Sequence, residues 1–237
     1  MIELLAALSI VTQGPPPPAT PPTDLRLEAF RAACVPHRRD IVATAAMMAA
    51  DGWAIVPDDD HPELMATMGK ARAEAVDPEL QMTADFTIWG KAWGERTFYV
   101  VLNRIHAVLR EEEDDDGDGE IQEWEDRDEM TLLGCGLWDF DTTERIPASV
   151  VDAWVGTPAV ETFDLPGEMI GGTWNLYHML PGTADVKVGF IPEGSDFEAR
   201  TGFSGVAITM GSATEDPDEP EPVPDDESHD HAEEDAD

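Results

Sequence analysis

The sequence predicts an α+β fold: N-terminal helices packed on an antiparallel sheet, in the order αα(α)βββαβββ, with a disordered acidic C-terminal tail. Three observations carry that expectation. Apolar residues recur with a helical period from Asp24 to about Ala75, and the period changes to two at Thr83. After the middle of the chain, three further strand-like runs follow one short helical segment. Helices gathered at one end of a sequence and strands at the other are the pattern of a sheet covered by helices.

Each element has a local reason. Asp24 can cap a first helix whose Leu27, Phe30, Ala33 and Cys34 fall on one face, and Pro36 must break or kink it. A second helix is expected over Asp40–Ala50, with Ile41, Ala45 and Met48 in phase and Gly52 as a stop. "WAIVP" fits a short strand. His61–Ala75 fits a third helix, with Asp60 as its cap and Pro62 at its first position. Thr83–Trp93 and Arg96–Ala107 read as strands around a turn at "WGER". "TFYVVLNRIHAVL" keeps a second reading, because Phe98, Val101, Leu102, Ile105 and Leu109 also match a helix. "MTLLGCGLWDFD" reads as a strand and "PASVVDAWVG" as a short helix ended by Gly156. "GTWNLYHML", "ADVKVGFIP" and "FSGVAITMG" give three more strands. The organisation that follows is a candidate signal segment and Pro-rich linker (1–23), one α+β domain (24–211) with an acidic loop at 111–129, and an acidic tail (212–237).

Charge is the strongest bias in the composition. The net charge is -37, but Glu111–Glu129 holds 13 acids and one base, and Glu215–Asp237 holds 13 acids and no base. These two stretches carry -25 and leave -12 on the other 195 residues, so the body is only moderately acidic. Phosphate binding needs basic surface, which argues against nucleic acid and against an anionic membrane surface. Cations and basic proteins remain as partners. The tail has few apolar residues and many prolines and acids, a composition that cannot offset its ordering entropy by burial.

The N-terminus has a short apolar core, Leu4–Val11, before the prolines at Pro15–Pro22. It has the form of an export signal's apolar region, although Glu3 stands where a basic residue is usual and no small-x-small cleavage site follows. It is too short to span a bilayer. The expected location is periplasmic or secreted, with the cytoplasm as the alternative. Two cysteines, Cys34 and Cys135, then have two readings: free thiols, or a disulfide tying the first helix to the strand "LLGCGLW".

One stretch implies specific chemistry. In "DDDGDGEIQEWE", Asp114, Asp116 and Asp118 occupy the first, third and fifth positions of a twelve-residue loop. Gly119 stands sixth, where the turn requires positive φ. Glu120 would offer its backbone carbonyl, Ile121 would pack inward, Gln122 would act through water, and Glu125 is placed for two-oxygen ligation. Such a set supplies the six to eight oxygens that calcium takes. These twelve residues resemble an EF-hand loop, with no departure at the named positions. The aspartates follow from the acidic run alone, and Gly119 and Ile121 do not. No second loop pairs with it: "DDDHPE" and "DFDTTER" lack the required glycine. The exiting segment is short before "TLLGCGLWDF", so the expected setting is an EF-like loop carried between two strands. The alternative is a plain solvated acidic loop.

Other constellations are weaker. Cys34 and His37 in "CVPH" have a chelating spacing, but zinc would need two more ligands, from Cys135 and His106 or His178. His229 and His231 lie among carboxylates of the tail and could hold zinc or nickel loosely. His178 in "LYHMLPG" is assigned to a strand, mainly as a structural residue, and no hydrolase or phosphate-binding motif accompanies it. Six tryptophans scattered through the body fit core or hairpin positions, and Trp124 could anchor the acidic loop. "FRAACVPHRRD", "DGW" and "GCGLWDFD" together resemble small exported proteins of alphaproteobacteria. That resemblance implies export and a cysteine pair, and no activity. The leading functional expectation is a non-enzymatic exported protein with one calcium loop that orders or stabilises the domain. The others are an interaction module that binds a basic partner through its acidic loop and tail, and an enzyme with a dispersed site that includes His178 or His106.

Overall fold

The computed structural model describes residues 23–75, 82–110 and 127–213. The acidic loop's twelve candidate residues, the N-terminal apolar segment and the C-terminal tail lie outside them.

Three helices come first. Helix α1 spans Leu25–Cys34, with the Asp24 carboxylate accepting from the Arg26 N–H, and it stops one residue before the position preceding Pro36. Helix α2 spans Ile41–Ala50 and is capped by Asp40, which accepts from the N–H groups of Val42 and Ala43. After the two-residue strand β1 (Ala54–Ile55) and a 3-10 turn at Asp58–Asp60, helix α3 runs over Pro62–Glu74. Its cap is His61, whose ring accepts from the Glu63 N–H, and not Asp60, which is engaged by Tyr99 instead. Strands β2 (Thr83–Trp93), β3 (Arg96–Arg110) and β4 (Arg127–Asp139) follow, then helix α4 (Ala148–Val155), ended by Gly156 in the left-handed conformation. Strands β5 (Glu161–Leu165), β6 (Met169–Trp174) and β7 (Thr183–Ile191), the short helix α5 (Asp196–Thr201) and strand β8 (Gly205–Ala213) complete the domain.

All eight strands form one antiparallel sheet in the order β1-β2-β3-β4-β8-β7-β6-β5. It consists of two four-stranded meanders, β1 to β4 and β5 to β8, joined where β4 pairs with β8. The chain crosses from one meander to the far edge of the other through α4. The α+β class and the antiparallel sheet are therefore as expected. The element order is richer, because β5 and α5 were not anticipated and β1 is present as the short strand at "WAIVP".

The two sheet faces build two cores. Phe98, Val100 and Leu102 of β3 pack with Leu27, Phe30 and Met48 of α1 and α2 and with Val151 and Val155 of α4. The intervening Tyr99 and Val101 face α3 and pack with Leu64, Met68, Phe140 and Phe203. Each residue from Phe98 to Leu102 is at most 4% exposed, which explains the ambiguity of "TFYVVL". A strand buried on both faces loses the alternation that marks a strand, and its apolar run then matches a helix by chance. The helical reading of this stretch is overturned: β3 pairs along its length with β2 on one side and β4 on the other.

Candidate functional site

The candidate calcium ligands Asp114, Asp116, Asp118, Glu120, Gln122 and Glu125 lie outside the described residues, but both flanks are described. The β3–β4 ladder continues without a register shift from Tyr99↔Trp138 to Arg110↔Arg127. No entering helix precedes the loop up to Arg110, and strand resumes at Arg127, so a helix-loop-helix arrangement is overturned on both sides. Paired residues lie about 5 Å apart, so the connector starts and ends at one place. Among the described residues, no group of three or more His, Cys, Asp or Glu side chains could hold a metal ion.

The cysteines resolve one alternative. Cys34, at the end of α1, and Cys135, in the middle of β4, form a disulfide across 101 residues of sequence, with Cα atoms 5.6 Å apart. The "CVPH" zinc reading falls with it, because both sulfurs are used. The histidines are dispersed. His106 on β3 sits 3.5 Å from the Thr131 hydroxyl, and the ring of His61 stacks on Phe140 at 4.7 Å. His178 is not in a strand: β6 ends at Trp174, and Asn175 to Leu180 form turns in which Asn175 Oδ1 accepts from the Tyr177 N–H. Its Nε2 lies 3.2 Å from the Val155 carbonyl, at the end of α4. The Asn and the Pro-Gly pair that flank "LYHML" were the available turn signals.

Sequence reasoning missed the main charged constellation. Asp139 is fully buried at the end of β4; its Oδ2 accepts from Arg96 Nη1 at 2.9 Å and lies 3.9 Å from Arg26 Nη1, while its Oδ1 has no partner among the described residues. Arg26, 5% exposed, also donates to both oxygens of Asp24, at 2.9 and 2.6 Å, and to the Thr142 hydroxyl and the Glu144 carbonyl. Burial raises the Asp139 carboxyl above its usual range, and the charges of Arg96 and Arg26 oppose that rise without cancelling it. Burial also acts upward on Asp24, but there the hydrogen bonds and charge of Arg26 win and the carboxyl is lowered. The network locks the first turn of α1 against the end of β4. Beside β4, Gly205 at φ +91 is required because a side chain there would meet the Asp139 carbonyl at 2.2 Å.

On the opposite face, the Tyr99 hydroxyl donates to Asp60 Oδ2 at 3.0 Å. Burial first, and then the hydrogen bond and charge of Asp60, push the phenol up to about 12. A folded-state value above the unfolded one of about 10 means stability that is complete below pH 10 and lost as pH rises toward 12. The alkaline unfolding limb of the wild type should therefore steepen between pH 10 and 12, and Tyr99→Phe should flatten it. Identical limbs in the two proteins would refute this.

The same face carries an open groove of about 550 Å³ beside α3. Helices α3 and α5 cover Tyr99, Phe140, Phe203 and Ile191. They leave uncovered the part of β2, β3, β4, β8 and β7 nearer the hairpin tip. Phe86, Ile105 and Leu132 form its apolar wall, and Gly134, Gly136 and Gly211 form its floor. The Asn103 side chain lies across Gly134, and the Trp138 ring across Gly136. Neither His106 nor His178 lines it. No helix among the described residues is long and apolar enough to cross a membrane. No protein-family model, curated protein or solved structure matches the chain.

Proposed function

We propose that the chain is a non-enzymatic exported protein whose β3–β4 hairpin carries a single EF-hand-like calcium loop that orders the hairpin and stabilises the domain. The observation that carries this reading is the unbroken pairing down to Arg110↔Arg127. Asp114 and Glu125, first and last ligands of one ion, must lie close together. Asp114 is four residues from Arg110 and Glu125 two from Arg127, so a hairpin that joins the connector's ends does in part what two flanking helices do in an EF-hand. Without an ion, clustered carboxylates repel one another; with one, that repulsion becomes ligation. The buried disulfide supports export, because such bonds persist in oxidising compartments.

An isolated site of this kind is expected to bind with a Kd of about 10⁻⁴–10⁻³ M, as extracellular modules do. At about 10 mM calcium, that affinity stabilises the folded state by roughly 1.4–2.7 kcal/mol. The midpoint of thermal unfolding should rise with calcium at constant ionic strength, and proteolysis between residues 111 and 126 should slow. Asp118→Ala and Glu125→Ala should abolish both effects. No response in the wild type, or the same response in the variants, would overturn the proposal. A merely electrostatic association with a basic partner would be released by about 0.5 M NaCl, where screening shortens to a few ångströms, whereas ligation by Glu125 persists.

A further inference from the structure

We propose that the groove beside α3 is a binding site for an aliphatic monocarboxylate, a fatty-acid-class amphiphile seated across the sheet with its carboxylate on Lys187. This goes beyond the calcium reading and does not depend on it.

Depth comes from the sequence. Gly134 and Gly211 are register partners on neighbouring strands, and Gly136 lies two residues along β4 on the same face. Strands normally raise a side chain at each of these positions; here the Asn103 side chain and the Trp138 ring lie over Gly134 and Gly136, and at Gly211 the sheet backbone itself is the floor. The volume of about 550 Å³ lies in the range of small-molecule sites, and the wall is apolar: Phe86, Ile105 and Leu132 on the strands and Met68 on α3. An aqueous groove of this lining favours an apolar occupant through the area it would remove from water.

The head group is specified by Lys187. It lines the β7 end of the groove, is exposed, and among the described residues has no ion pair and no hydrogen bond. The other groove-facing charge, Asp185, accepts from the Asn175 amide at 3.1 Å. Lys187 stands opposite Thr209 in the β7–β8 register, so a carboxylate there meets an ammonium and a neighbouring hydroxyl. From β7 to β2 the groove crosses four inter-strand spacings, roughly 19 Å at about 4.8 Å each. An extended chain of carbon atoms advances about 1.25 Å per bond of 1.52 Å, so a carboxylate with a dozen carbons, about 14 Å long, runs from Lys187 across three of those spacings to Ile105 on β3.

Isothermal titration of the full-length protein with dodecanoate, in chelator so that calcium plays no part, tests this, with 1-dodecanol as the neutral-headed control. Two variants separate body from head. Gly211→Phe fills the floor without backbone strain, since an added Cβ there meets only the Ala184 methyl at 3.8 Å; it should abolish binding of both ligands and leave the unfolding midpoint near that of the wild type. Lys187→Met should weaken dodecanoate about three- to five-fold, the worth of an exposed ion pair, and leave dodecanol unchanged. The inference is overturned if dodecanoate does not bind below about 1 mM, if a folded Gly211→Phe protein binds as the wild type does, or if Lys187→Met affects the two ligands equally. A calcium response with no dodecanoate binding would overturn this inference alone, and the converse would leave it standing without the calcium loop.

Discussion

Reduction of the Cys34–Cys135 disulfide should lower the stability of the domain by about 4–5 kcal/mol, the value a chain-entropy model gives for a closed loop of about 100 residues. The bond closes a loop that contains α2, α3 and the first meander as far as Cys135 in β4, so opening it releases a large constraint on the denatured chain. It also fastens α1 to the centre of the sheet. Cys34 belongs to the main core with Leu102, Leu137 and Met210, and Cys34 and Cys135 are 0% and 8% exposed. Two measurements follow. Urea unfolding of oxidised and reduced protein should show a midpoint shift of that size, together with a larger denaturant slope for the reduced form, because its unfolded state is more expanded. In native buffer the bond should resist a thiol reductant that acts at once when urea is added, since burial leaves no approach to either sulfur. A shift below about 1 kcal/mol would mean that packing alone holds α1, and rapid reduction in native buffer would mean that α1 leaves the sheet readily.

What could be read from the sequence depended on whether one face of an element stays wet. Helices α1, α2 and α4 were legible because caps and stops stand at their ends: Asp24, Asp40 and Gly156. Strand β2 was legible as a period-two run ended by a turn at Gly94. Strand β3 was legible only as an alternative, because residues 98–102 are buried on both sides and their pattern carries no period. Strand β5, "ETFDL", was missed for the opposite reason: it is an edge strand with mostly exposed side chains, so no apolar signal sets it apart from a loop. The cap of α3 went to His61 because Asp60 is drawn to the Tyr99 hydroxyl, a contact between residues 39 apart that no local pattern reveals. The groove was invisible for a similar reason. Gly134 and Gly136 carry no signal of their own in the strand "LLGCGLW", and their meaning arises only when β8 places Gly211 alongside. The acidic loop was the reverse case, legible in residue type and spacing, with its setting between strands supplied by the hairpin.

The buried arginine makes the second large prediction. Arg26→Met should destabilise the domain by about 3–5 kcal/mol, the usual penalty for removing one member of a buried ion pair. The loss goes beyond charge. Arg26 links Asp24, Thr142 and the Glu144 carbonyl to Asp139, so its removal frees the first turn of α1 and the segment after β4 together. Asp139 would keep only Arg96, which is partly exposed, beside an oxygen that already lacks a partner. Replacing the acid gives a different signature, set by the sign of its shift. Because burial raises the folded-state value of Asp139 above the unfolded one, the folded protein holds that proton more tightly. Stability contributed by the group is then greatest below the unfolded value of about 3.9 and falls as pH rises through the raised one. Asp139→Asn has no such proton to lose. Its deficit relative to wild type should therefore shrink as pH rises from 4 toward neutrality, in chemical denaturation at a series of pH values. A deficit that grows with pH would show that the two arginines outweigh burial and that Asp139 is held ionised, so its pairing with Arg26 would stabilise the fold at neutral pH. Loss of less than about 1 kcal/mol in Arg26→Met would instead show that Asp24 and the backbone caps hold α1 without it.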